Sequence, residues 1–213
     1  MSRLTAALAA LLLVFTAGQA RANLIVNGTF ESAVPVDSSL QMVPTDWTVG
    51  NLDPNFSGVL SILQSSDPDG GRFAMSLSNF SNHGLATIQQ TVNTVSGTTY
   101  DLSYWFRSTG DPRLGSIEFQ VLWNGNVIDD MTNPQPSIGF DFTEHKLTVT
   151  GTGQDTLEFA GLNNPGFNFL DDVVLDQPST SVAPEPASIT VFGLMATFGL
   201  FACARRRQPH AAA

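Results

Sequence analysis

Hydrophobic and polar residues alternate with a period of two through much of the chain, and helical spacing is scarce between residues 23 and 176. Over residues 99–107, Tyr100, Leu102, Tyr104 and Phe106 point one way while Asp101, Ser103, Trp105 and Arg107 point the other. That pattern predicts a strand with one face in the core and one face open. Ile117, Phe119, Val121 and Trp123 then alternate with Glu118, Gln120 and Leu122, and Asn124-Gly125 supplies the residues of a tight hairpin turn before Val127 and Ile128. Further short strands are expected over residues 59–63, 73–77, 86–92, 144–150, 156–160 and 168–175, punctuated by Gly, Asn, Asp and Pro. The sum is an all-β fold, an antiparallel β-sandwich.

Both ends break this pattern. Met1-Ser2-Arg3 leads into an almost unbroken apolar run closed by Ala20-Arg21-Ala22, the order of a signal peptide over residues 1–22, with the mature chain starting at Asn23. Residues 189–204 carry no charge and run into Arg205-Arg206-Arg207. As a helix they would reach about 24 Å, slightly short of a hydrocarbon core of about 30 Å, and snorkelling arginines would cover the difference. The positive-inside rule places the basic tail, residues 205–213, in the cytoplasm and residues 23–188 outside. Residues 178–188, rich in Pro, Ser, Thr and Ala, read as a linker, which leaves 23–177 as one sandwich domain.

Charge narrows the partners. All nineteen acidic residues lie between the signal peptide and the terminal apolar run, against four basic ones there (Arg72, Arg107, Arg113 and Lys146), a net of about −15. Nucleic acid would be repelled, whereas calcium or a neutral partner would not. The single cysteine, Cys203, falls in the apolar run, so no internal disulfide holds the exported domain.

The tail Val182-Ala183-Pro184-Glu185-Pro186-Ala187-Ser188, followed by the apolar helix and Arg205-Arg206-Arg207, resembles the PEP-CTERM sorting signal. The resemblance implies recognition by an exosortase, with Pro184, Glu185, Pro186 and the three arginines as the sorting motif. It also implies a route from an inner-membrane-tethered precursor to the surface or extracellular matrix of a Gram-negative bacterium. The domain itself resembles galactose-binding-like jelly rolls of the choice-of-anchor C type and related carbohydrate-binding modules. Four stretches carry that likeness: Asn23-Leu24-Ile25-Val26-Asn27-Gly28-Thr29-Phe30-Glu31; Pro44-Thr45-Asp46-Trp47; Ile88-Gln89-Gln90-Thr91 leading to Gly97-Thr98-Thr99-Tyr100-Asp101-Leu102; and Phe169-Leu170-Asp171-Asp172-Val173-Val174-Leu175. Such modules commonly join the opening segment to the closing strand through a structural calcium. By carry-over, Glu31 and Asp171 would be its carboxylate ligands, with backbone oxygens near Gly28. Trp47 matches a position that packs beneath loops.

Local catalytic signatures are missing. His83 and His145 have no partner at metal-ligand spacing and read as structural, and no Gly-x-Ser-x-Gly or Cys-His arrangement occurs. Asp67-Pro68-Asp69-Gly70-Gly71 lacks the later ligands of an EF-hand and reads as a turn. Aromatic rings on an open sheet face are the chemistry that stacks on sugars, and Trp105 with Arg107 occupies the outward face of its strand. If the next strand packs alongside, Glu118 and Gln120 share that face and complete a glycan platform. The expected function is therefore a non-catalytic module contacting extracellular polysaccharide. The alternatives are a structural matrix or floc component working through protein contacts, and a surface hydrolase.

Overall fold

A computed structural model describes residues 23–36, 41–53, 57–61, 68–79, 83–134 and 141–177. The signal peptide, the linker with Pro184-Glu185-Pro186, the apolar run 189–204 and the arginine tail lie outside the described residues. Among those described, no helix is long and apolar enough to cross a membrane.

Twelve strands are described: β1 (Ala33–Pro35), β2 (Met42–Pro44), β3 (Thr48–Gly50), β4 (Gly58–Ser61), β5 (Phe73–Ser76), β6 (Ala86–Asn93), β7 (Thr99–Ser108), β8 (Ser116–Trp123), β9 (Asn126–Thr132), β10 (Thr143–Thr150), β11 (Gln154–Asn164) and β12 (Asn168–Asp176). They form two five-stranded antiparallel sheets, ordered β10-β7-β12-β5-β4 and β3-β6-β11-β8-β9, and a β1-β2 ribbon. The fold is an all-β antiparallel sandwich.

The alternation read from the sequence decides which side chains meet between the sheets. Tyr100, Leu102, Tyr104 and Phe106 of β7 are all buried, as are Ile117, Phe119, Val121 and Trp123 of β8. Their rings interlock across the sandwich: Phe106 and Phe119 lie 4.4 Å apart, and the Tyr104 ring meets Phe159 edge-on at 5.4 Å. Trp47 is buried as expected, with its ring 5.5 Å from Phe30 and its indole N–H donating to the Asn27 carbonyl at 3.0 Å. The hairpin at Asn124-Gly125 also forms, with φ of 52° and 76°, the two left-handed residues that a tight primed turn demands.

Hydrogen bonds tie the start of the domain to its last strand. The Asn23 carboxamide oxygen accepts from the backbone N–H groups of Ile25 and Leu175, each at 2.9 Å. Leu24 N–H donates to the Leu175 carbonyl, and Val173 N–H to the Gly28 carbonyl, both at 3.0 Å. Gly28 sits so close to β12 that a β-carbon there would stand 2.1 Å from the Val173 carbonyl oxygen, which explains the glycine.

Candidate functional site

The proposed four-residue platform does not assemble. Trp105 and Arg107 lie on the outer face of the sheet containing β7, whereas Glu118 and Gln120 lie on β8, in the opposite sheet. The chain crosses from one sheet to the other after β7 instead of turning back in a hairpin. The two pairs therefore face away from each other. Glu118 and Gln120 bond each other, the Gln120 amide donating to the Glu118 carboxylate at 3.1 Å. Arg107 is only 5 % exposed: its guanidinium lies 4.5 Å from the Phe169 ring centre and 5.3 Å from that of Phe142. Burial lowers its affinity for its proton relative to a solvated arginine. Trp105 is partly buried, flanked in register by Glu144 on β10 and Asp171 on β12.

A trough of about 740 Å³ opens next to Trp105 on the same outer face, over strands β10, β7 and β12. Its floor comes from outward residues of β7, Asp101 and Ser103, and its walls from Glu144, Lys146 and Thr148 of β10 and Val174 and Asp176 of β12. Register explains the grouping. Asp176 lies opposite Asp101, which lies opposite Thr148, while Ser103 sits between Val174 and Lys146. The Lys146 ammonium is 2.8 Å from a Glu144 carboxylate oxygen. A β-bulge between Asp171 and Val174, with Asp172 at φ 47°, shifts β12 by a register step. It returns Val174 and Asp176 to the outer face while Val173 and Leu175 stay in the core. Of these lining residues only the outward set of β7, the floor, was legible in the sequence, because the pairing of β7 with β10 and β12 is a property of topology.

The residues expected to hold calcium occupy two surroundings. One Glu31 carboxylate oxygen accepts from the backbone N–H groups of Arg72 and Phe73 at 2.6 and 2.8 Å. The same oxygen and an Asp69 carboxylate oxygen stand 2.4 and 2.7 Å from the point where a Gly71 β-carbon would sit, so the two acids converge on one corner. Asp69 also accepts from Gly71 N–H at 2.7 Å, which makes 69–71 the turn its sequence suggested. Asp171 is fully buried, one carboxylate oxygen accepting the Asp172 N–H at 2.8 Å. Asp172 is the member of the closing strand that feels Asp69: burial, then the charges of Asp69 and Glu144, raise its carboxyl above the ordinary range. Among the described residues no three carboxylates or imidazoles group tightly enough to cage a cation. The oxygens that meet beside Gly71, from Glu31 and Asp69, are hard donors, and Asp171 is not among them.

His83 and His145 each lie beside an acid. His145 of β10 stacks on Tyr104 at 5.0 Å and 8°, with Nδ1 3.8 Å from an Asp129 carboxylate oxygen that also accepts the Tyr104 hydroxyl at 2.6 Å. Burial and the Asp129 contact push the Tyr104 phenol well above the usual range, so it holds its proton and acts as a permanent donor. The group joins the edge strands of opposite sheets, β9 and β10. His83 lies 3.5 Å from Asp53.

No family model matches the chain, and no curated protein matches it. Among solved structures, the fold is similar to that of TmCBM61 in complex with beta-1,4-galactotriose, at TM-score 0.51 and 15 % identity over 74 % of this chain and 99 % of that one. It is also similar to a cyclase from Fischerella sp. TAU, at TM-score 0.52 and 18 % identity over 76 % and 100 % of the two chains. The apo form of a cyclase from Fischerella sp. gives TM-score 0.53 and 18 % identity over 75 % and 98 %. A sugar-binding module and cyclases thus share this architecture, so the likeness speaks to the fold alone.

Proposed function

We propose that the protein is an exported, exosortase-sorted surface protein whose sandwich contacts extracellular polysaccharide without catalysis. The observation that carries the binding half is the trough beside Trp105. Its volume suits a few sugar units, its wall residues offer acceptors and hydroxyls for sugar hydroxyls, and one of them, Glu144, pairs in register with Trp105, the nearest aromatic ring of that face. Glu118 and Gln120, on the other sheet, have no part in it, and Arg107 supports the face from beneath its aromatic cover. The sorting half rests on the order of Pro184-Glu185-Pro186, apolar run and Arg205-Arg206-Arg207, which implies exosortase and membrane as partners of the precursor. A bound calcium ion would add rigidity where Glu31 and Asp69 converge near the closing strand.

Glycan-array binding by the full chain, held in a detergent without a sugar headgroup, tests this reading. Retention of at least one polysaccharide fragment is expected. Uniform failure to retain any would favour the matrix or floc reading, in which the domain works through protein contacts.

A further inference from the structure

The residues that follow Ala22 are committed to the fold from the first one. The Asn23 carboxamide oxygen accepts from Leu175 N–H of β12 and, two residues on, from Ile25 N–H, each at 2.9 Å, while its amide donates to the Val173 carbonyl at 3.2 Å. Leu24 N–H pairs with the Leu175 carbonyl at 3.0 Å. The backbone of Val26 is held on both sides by the Gln90 carboxamide, each bond 2.9 Å. Ile25 and Phe30 lie in the core. The bond between Ala22 and Asn23, where the A-x-A triplet places the cut, therefore has no slack chain between it and β12.

We propose that the signal peptide is cut before the opening segment seats against β12, and that Asn23, the residue which the cut makes first, is the latch that then closes the domain. This order rests on the reading of residues 1–22 as a signal peptide and adds to it when the cut can occur. A peptidase needs the chain on both sides of the scissile bond free to extend into its cleft, and nicking concentrates where backbone is exposed and unbonded. Here Asn23 turns back onto Ile25 N–H, Leu24 pairs with β12 and Ile25 is buried. Cutting a folded precursor requires that segment to lift off β12, which strips Leu175 N–H of its acceptor and bares Ile25. The rate then follows the small population of the opened form, whereas a chain that has not yet seated Asn23 is cut without that toll.

The test gives the full chain, in detergent, to a bacterial signal peptidase either at the moment of dilution out of denaturant or after folding is complete, as checked by melting. N-terminal sequencing and mass spectrometry identify the product. A cut ahead of Asn23 is expected in both arms, at least about tenfold slower in the folded one. Asn23→Ala should narrow that gap, each chain being compared with its own sample caught at dilution so that any change in how the peptidase reads the residue cancels. A short Gly-Ser spacer inserted between Ala22 and Asn23 leaves the latch in place, moves the scissile bond away from it, and should erase the gap. Equal rates in the two arms of the parent, or a gap unchanged in both variants, would overturn the order while leaving the signal peptide in place. No cut ahead of Asn23 in either arm removes the signal-peptide reading and the order with it.

Discussion

Asp155 accepts two hydrogen bonds from a single residue, Thr152, whose backbone N–H and hydroxyl donate at 2.8 and 2.6 Å. The same carboxylate also takes the Thr94 hydroxyl and the Asn124 side-chain amide, so one buried acid clasps the connections β6–β7, β8–β9 and β10–β11. Burial alone would raise its pKa, but these bonds outweigh it and hold the carboxyl at about 2, below the ordinary 3.8. Because the folded value is the lower one, the stabilisation is complete above the unfolded pKa and fades as the pH falls toward the folded one. Asp155→Asn should therefore cost on the order of 3 kcal/mol at neutral pH, with the gap to the parent shrinking in melts taken from about pH 4 down to about pH 2.

Tyr104 should divide cleanly into ring and hydroxyl. Tyr104→Phe keeps the contacts with Phe119, Phe159 and His145 and loses only the bond to Asp129, whose carboxylate is 24 % exposed and can turn to water. A cost of about 1 kcal/mol is expected, against about 3–5 kcal/mol for Tyr104→Ala, both measured by denaturant unfolding.

Trp105→Ala should abolish polysaccharide retention with a stability loss well below the roughly 3–5 kcal/mol of a fully buried ring. Paired array and melting measurements check it. A variant that still binds, or one as damaged as a core truncation, removes Trp105 from the site.

Millimolar calcium should raise the melting temperature and chelator lower it, since an ion bound only to the folded state at a hundredfold excess over its Kd adds about 2.7 kcal/mol. Glu31→Ala will be weaker even without metal, because it strips the acceptor from the Arg72 and Phe73 N–H groups. The decisive readout is the response to calcium: a variant that responds as fully as the parent excludes Glu31 as a ligand.

Glu185→Ala should leave the precursor unprocessed in an exosortase-bearing host. Mass spectrometry of the mature surface protein reads the result, and an intact C-terminus in the parent would count against processing.

How much was legible in the sequence follows from where each signal lives. The alternation of β7 and β8 is local, and both buried faces were readable residue by residue. The Asn124-Gly125 hairpin is local too. By contrast, β1, β2 and β3 span three residues each, too few for a period to emerge. Strand β9 continues through Asp129 and Asp130 to Thr132, where the sequence suggested only Val127 and Ile128. It is an edge strand, and its Asp129 serves a bond to Tyr104 of the other sheet, which no alternation pattern announces. Grouping Trp105 and Arg107 with Glu118 and Gln120 failed because consecutive strands usually neighbour one another, whereas β7 and β8 belong to different sheets. The trough was hidden for the same reason: Asp101 meets Thr148 and Asp176 only through pairings distant in the chain.

The hydrogen-bonded place of β12 also bears on how the domain would carry load. It is the last strand before the linker and the central strand of its sheet, held along its length by β7 and in part by β5. The opening segment is laced to the same strand through Asn23, Leu24 and Gly28. A pull applied to the end of β12 along its own axis would thus set many interstrand bonds in shear together, where an edge strand pulled sideways would peel open bond by bond.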